Sequence, residues 1–122
     1  MSSVLKNIYV HNGMNLEDFQ PEVSTNFHVL LHMTIGPSDQ SGGHDYSLGV
    51  CTPRWLDHAI QHEGKVWGRH LLIVNEFDAK RIMDAIAETI SNSEGDNWES
   101  TSLVLSRFFF WEYEDYQYSR SE

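Results

Sequence analysis

A short segment near the middle of the chain, Val50-Cys51-Thr52-Pro53-Arg54-Trp55-Leu56, strongly constrains the fold. Residues 44–50 before it alternate between apolar and polar positions, which is typical of a strand. Thr52 can accept hydrogen bonds from the first free N–H groups of a helix, and Pro53 at the first helical position gives up no backbone hydrogen bond. Apolar residues then recur at helical spacing, namely Trp55, Leu56, Ala59 and Ile60. The segment therefore predicts a corner between a strand and a helix of residues 53–62.

Hydrophobic periodicity predicts the remaining elements on both sides of this corner. Residues 27–35 place Phe27, Val29, Leu31, Met33 and Ile35 on one apolar face, which we expect to form the core. The strand over residues 44–51 is expected to pair with it in antiparallel orientation. Further strands are predicted over residues 4–11 and 66–76, the latter apolar enough for a central position in the sheet.

Two more helices are predicted in the second half of the chain. Asp78 is expected to cap the first of them, which carries an apolar stripe of Ile82, Met83, Ile86, Ala87 and Ile90. Asp96 with Glu99 resembles a capping box at the start of the second, with Trp98, Leu105, Phe108 and Phe109 as buried candidates. The aromatic and acidic residues from 110 to 118 are compatible either with the end of that helix or with an extended edge segment.

This order of elements predicts an α+β domain. We expect a largely antiparallel four-stranded sheet with about three helices packed on one face. A chain of 122 residues fits a single domain, here residues 1–122.

Composition narrows the possible partners and the compartment. The formal net charge is -10, which disfavours direct binding to nucleic acid or to an anionic membrane because phosphates would be repelled. The single cysteine excludes an internal disulfide and favours a reducing compartment. We find no apolar run long enough for a signal peptide or a membrane span, so we expect a cytoplasmic protein.

Residue patterns that would indicate catalysis are weak. His58 and His62 have the helical spacing of two metal ligands, but Ala59 stands where a zinc protease would carry its catalytic glutamate. His28 and His32 share a strand face and could line a groove, although a half-exposed sheet surface explains them equally well. Cys51 precedes a helix N-terminus, where a thiolate is favoured, but burial of a small residue is the simpler interpretation. We predict no catalytic residue, no metal and no cofactor.

The carboxyl end has an unusual composition. Residues 94–122 contain seven acidic residues against two arginines, and aromatic residues are interleaved among the acids. Aromatic side chains supply contact area and acids attract a basic partner, so this composition suits a protein interface. Packing of the aromatic residues into the core is the alternative. The interface candidates are Glu112, Tyr113, Glu114, Asp115 and Tyr116, with Asp39 and Asp45 as a second group.

Several short segments together resemble the immunity protein 8 family of bacterial polymorphic toxin systems, which include contact-dependent growth inhibition. The segments are Ile35-Gly36-Pro37, Val50-Cys51-Thr52-Pro53-Arg54-Trp55-Leu56, Gly68-Arg69-His70-Leu71-Leu72-Ile73-Val74, Trp98 and residues 106–116. Of these, the C-T-P-R-W-L and W-E-Y-E-D-Y sequences are the most specific. The resemblance covers about residues 27–116.

The resemblance implies a small cytoplasmic α+β protein that binds the C-terminal effector domain of a cognate toxin and blocks it, without catalytic residues of its own. Because a nuclease must be basic to hold phosphates, an acidic inhibitor favours a nuclease as the toxin. Two other functions remain open from the residues alone. They are a small metal-dependent enzyme using one of the histidine pairs, and a structural or adaptor subunit of another complex.

Overall fold

The computed structural model describes residues 2–113. Within them the chain forms five strands and three α-helices, together with two 3₁₀ turns at His11–Gly13 and Leu16–Asp18. In chain order the main elements are β1 (Ser3–Val10), β2 (His28–Pro37), β3 (His44–Cys51), α1 (Pro53–Glu63), β4 (Leu71–Ile73), α2 (Ala79–Asn92), α3 (Trp98–Leu105) and β5 (Phe110–Trp111). None of the helices in this part of the chain is long and apolar enough to cross a membrane.

The strands form one mostly antiparallel sheet in the order β1-β2-β3-β4. β2 pairs antiparallel with β1 and with β3, whereas β4 runs parallel to β3. The outer edge of β3 is shared, because β5 pairs with its first half at Tyr46 and Ser47 and β4 with its second half. The predicted α+β class and the largely four-stranded antiparallel sheet are confirmed.

The core lies on the side of the sheet where the sequence predicted it. The five apolar residues predicted to form it, Phe27, Val29, Leu31, Met33 and Ile35, are each at most 5% exposed. α2 covers this side with Ile82, Ile86 and Ile90, and the end of α3 adds Leu105 and the following Phe109. The predicted cap of α2 is present, since the carboxylate of Asp78 accepts a hydrogen bond from the Arg81 N–H at 3.2 Å. Ala87, placed in the stripe from its spacing, is exposed.

The predicted strand-to-helix corner is confirmed and ties α1 to the sheet. The fully buried hydroxyl of Thr52 accepts from the Trp55 N–H at 3.4 Å and from the Phe27 N–H at 3.2 Å. The helix cap therefore also satisfies the backbone at the start of β2. The apolar face of α1 is less buried than predicted, with Ile60 41% exposed, while Trp55 stacks on His28 at a ring distance of 4.5 Å.

The strand predicted over residues 66–76 is mostly wrong. Only Leu71–Ile73 is a strand, and it lies at an edge of the described sheet rather than at its centre. Just before it, His70 adopts a left-handed conformation with φ 56°, which is incompatible with continuous strand geometry. Trp67 consequently stands on an irregular segment and is 83% exposed.

Details of α3 and the chain after it also differ from the prediction. The N-cap is Asn97, one residue later than expected, and its partner in the capping box is Ser100 rather than Glu99. Asparagine accepts a hydrogen bond from a free N–H of the first helical turn as well as aspartate does, so the residue types permitted an N-cap at either Asp96 or Asn97. Of the expected buried residues, Phe108 is 49% exposed. The sequence left open whether the residues from 110 onwards finish the helix or form an extended edge segment. Phe110–Trp111 form an extended edge strand.

Candidate functional site

The side of the sheet opposite the core, here called the open face, carries four rows of side chains. Directly paired residues in a sheet point to the same side, so the rows follow from the register of the strands. The acidic row contains Glu112, Asp45, Thr34 and Asn7; the aromatic row contains Phe110, Ser47, His32 and Tyr9; the leucine row contains Leu71, Gly49 and Leu30; and the last row contains Ile73, Cys51 and His28.

Two of the predicted interface acids meet in the acidic row. The Asp45 N–H donates to a carboxylate oxygen of Glu112 at 3.1 Å, and the Glu112 N–H donates to the Asp45 carbonyl at 3.0 Å. The hydroxyl of Thr34 donates to the Asp45 carboxylate at 2.9 Å. Both acids are exposed, and their carboxylates retain further lone pairs that can accept hydrogen bonds from a lysine or an arginine. We call Asp45 and Glu112 the acidic pair.

The next two rows are unusually apolar for an exposed surface. Leu30 is 42% exposed and Phe110 is 40% exposed. Tyr9 on β1 stacks on its cross-strand neighbour His32 with ring centroids 5.2 Å apart. A contiguous apolar area on a soluble domain is a common mark of an interaction site.

A cluster of aromatic rings supports the acidic pair from the core side of β3. His44 lies between Trp98, Trp111 and Tyr113, with ring centroids 5.1–5.7 Å away. The indole N–H of Trp98 points to one ring nitrogen of His44 at 3.4 Å, and that of Trp111 to the other at 3.2 Å. A neutral imidazole has one acceptor nitrogen, so either tautomer satisfies one indole at a time. Through these contacts His44 holds β5 against β3.

The other predicted interface residues are placed less decisively. Tyr113 is 38% exposed and packs its ring on His44 and Trp111, so it combines an accessible edge with a structural contact. Asp39 is exposed on the turn between β2 and β3. Glu114, Asp115 and Tyr116 lie outside the described residues. The question whether the aromatic residues are interface or core has a mixed answer, because Trp111 is buried and Phe110 is exposed.

Sequence reasoning named Asp45 and Glu112 as candidates but did not place β5 beside β3 on this surface. Asp45, Ser47 and Gly49 alternate with the apolar residues of β3, and this pattern alone could have placed them on the face opposite the core. The partnership of Asp45 with Glu112 had no such signal, because the two residues are 67 positions apart and only the pairing of β5 with β3 brings them together.

The residues considered for catalysis lie in different environments. Burial raises the pKa of the Cys51 thiol, which opposes the thiolate that nucleophilic attack would need. The rings of His58 and His62 lie 4.4 Å apart on the exposed side of α1. His28 and His32 contact different partners, Trp55 and Tyr9. Across residues 2–113, no three histidine, cysteine or acidic side chains are grouped closely enough to hold a metal ion.

Comparison with known proteins assigns the chain to a family. The model of the family described as Immunity protein 8 matches residues 3–116. The chain belongs to the immunity protein 8 family. The match begins at β1, well before the segments from Phe27 onwards that carry the resemblance in the sequence, and it includes every row of the open face. No curated protein and no solved structure gives a significant match.

Proposed function

We propose that this immunity protein binds the effector domain of a cognate bacterial toxin in the cytoplasm and neutralises it by covering its active site. It acts stoichiometrically, with no turnover of its own. The observation that carries the proposal is the family membership together with an open face that combines exposed carboxylates with exposed apolar side chains.

Charge favours a nuclease as the toxin. A nuclease needs a cationic cleft to hold phosphates, and a partner of net charge -10 complements such a cleft. The acidic pair places two exposed carboxylates on neighbouring strands of the open face, which suits contact with lysine or arginine side chains at the rim of that cleft. Asp39, Tyr113, Glu114, Asp115 and Tyr116 are the further candidates for this contact.

The charged and the apolar residues of the open face are expected to affect different rate constants of binding. Exposed charges accelerate the encounter of oppositely charged partners, whereas desolvated apolar contacts slow their dissociation. Protection of a cell requires a Kd of roughly nanomolar or better, which corresponds to about -12 kcal/mol. Two exposed carboxylates do not supply that free energy, so we assign most of it to apolar contacts around them.

Binding kinetics with matched charge variants test this proposal. The probe is a catalytically inactive form of the effector domain encoded by the neighbouring toxin gene. Asp45→Asn with Glu112→Gln removes both charges and keeps the oxygen atoms that accept the local hydrogen bonds. The control, Glu17→Gln with Glu88→Gln, removes two exposed charges away from the open face.

We expect a one-to-one complex whose association rate falls about 5- to 10-fold in the open-face variant, with a weaker dependence on salt, and changes little in the control. The active effector domain should also stop cell growth unless this protein is co-produced. Absence of a complex, or growth arrest in spite of co-production, would contradict the proposal.

A further inference from the structure

The apolar half of the open face contains a groove that the described part of the chain leaves unfilled. Its volume is about 220 Å³. Leu30, Leu48, Leu71 and Phe110 supply its apolar lining, and the polar residues of the lining are His28, Ser47, Arg69 and His70. Gly49 lies against two side chains that line the groove, because a Cβ atom added there would lie 2.9 Å from Leu71 Cδ2 and 3.3 Å from His28 Nε2. Any larger residue at position 49 would therefore displace Leu71 and His28 from their present positions.

The size and chemistry of the groove favour an apolar protein side chain as its occupant. Small-molecule sites typically have volumes of about 300–1,000 Å³, so this groove is small for a metabolite. Burial lowers the pKa of His28 at one end, so the neutral form of that ring is favoured at neutral pH. The apolar side chains of the lining gain free energy by excluding water, and the positive charge of Arg69, which also lines the groove, disfavours a cationic side chain there.

The groove is continuous with the acidic pair on the same face. Asp45 and Gly49 are four residues apart on β3, which corresponds to about 13 Å along a strand. The aromatic row lies between them, and its Phe110 also lines the groove. One partner surface can therefore contact both places at once, with a cationic group at one end and an apolar group at the other.

We propose that the toxin effector domain inserts one apolar side chain into the groove bounded by Leu30, Leu71 and Phe110, about 13 Å from the lysine or arginine that contacts the acidic pair. This deepens the proposed function and rests on it. The acidic pair stays near the solvent and governs association. The groove loses its water in the complex and governs dissociation, as buried anchor residues do in other interfaces.

Two variants change the groove in different ways. Leu30→Thr removes apolar lining and introduces a β-branched residue that suits a strand. Gly49→Ala adds a methyl group that must displace the mobile end of the Leu71 side chain, which lines the groove. The control is Leu103→Gln on α3, because Leu103 is exposed to a similar degree, 52% against 42% for Leu30.

Dissociation from the inactive effector domain is measured for each variant. Leu30→Thr and Gly49→Ala should each dissociate about tenfold faster, a loss of roughly 1.4 kcal/mol, with the association rate and its salt dependence unchanged. Leu103→Gln should dissociate at the wild-type rate. Circular dichroism and urea unfolding verify that the variants fold. If Leu30→Thr does not fold, the dissociation rate of Gly49→Ala tests the inference by itself.

Distinct outcomes separate this inference from the proposed function. If the wild-type protein binds the effector domain but both groove variants dissociate at the wild-type rate, the inference about the groove is wrong and the proposed function is unaffected. A wild-type protein without affinity for the domain would overturn both. Sedimentation of the free protein tests a second copy as occupant; a dimer that Leu30→Thr or Gly49→Ala converts to monomer would also overturn the inference.

Discussion

The two faces of β2 are built from alternating residues of one strand, yet they differ in almost every physical respect. Leu31 and Ile35 on the core side are fully buried beneath the helical layer. Leu30, adjacent to Leu31 in the chain, is 42% exposed on the open face. The core side has a structural reason to be apolar, since its burial drives folding. The apolar residues of the open face gain little from folding, so a partner is the better explanation for them.

The largest expected effect is a difference in stability between substitutions on the two faces of β2. Leu31→Ala removes a fully buried side chain and should lower the free energy of unfolding by about 2–5 kcal/mol, because a cavity adds to the lost burial. Leu30→Ala should cost less than about 1 kcal/mol, since much of that side chain is already in water. Urea unfolding of both variants measures the difference. Equal losses would contradict the assignment of the two faces.

The next effect concerns the corner that joins α1 to β2. Thr52→Val should destabilise the protein by about 1–3 kcal/mol, because it leaves the buried Phe27 N–H without its acceptor and removes the cap of the helix. Thr52→Ser keeps the hydroxyl and serves as the control. If the valine variant unfolds at the same urea concentration as the serine variant, the corner does not stabilise the fold as described.

A pH effect is expected from the end of the open face that α1 covers. Burial lowers the pKa of His28 in the folded protein below its ordinary value of 6.5, so the unfolded chain binds the proton more readily. Stability should therefore be unaffected by His28 above that value, fall as the pH decreases below it, and level off below the folded pKa.

His28→Phe provides the matched comparison, since it retains an aromatic ring to stack on Trp55 and does not titrate. The difference in unfolding free energy between wild type and this variant should change as the pH falls below 6.5, in the direction described. A difference that stays constant with pH would contradict a lowered pKa of His28 in the folded protein.

Much of this architecture was predictable from sequence, for identifiable reasons. The alternation from Phe27 to Ile35 and the Thr52-Pro53 corner are local signals whose residues act within a few positions of each other. The strand predicted over residues 66–76 failed because apolar content alone does not reveal the left-handed turn at His70. The start of α3 was missed by one residue because Asp96 and Asn97 are both good N-cap residues.

The candidate site was predictable only in part. Composition drew attention to Asp45 and Glu112 separately, but long-range strand pairing, which local patterns do not encode, joins them. The groove could not be predicted from local patterns, since it depends on the approach of β4 and β5 to β3.

The smallest expected effect is on the stability of the charge variant. Asp45→Asn with Glu112→Gln should change the unfolding free energy by less than about 0.5 kcal/mol, and in the stabilising direction, because two like charges on neighbouring strands repel each other. The same variant should bind the effector domain more slowly. Thermal unfolding checks the first point, and a clear loss of stability would mean that the acidic pair serves the fold rather than binding.

Titration of an active effector domain with this protein tests the central claim most directly. Wild-type protein, and a helix-side variant combining Glu17→Gln, Glu88→Gln and Leu103→Gln, should abolish toxin activity linearly with an end point at one equivalent. An open-face variant combining Asp45→Asn, Glu112→Gln and Leu30→Thr should need a large excess. Equal inhibition by both variants, or loss of inhibition in the helix-side variant alone, would contradict the assignment of binding to the open face.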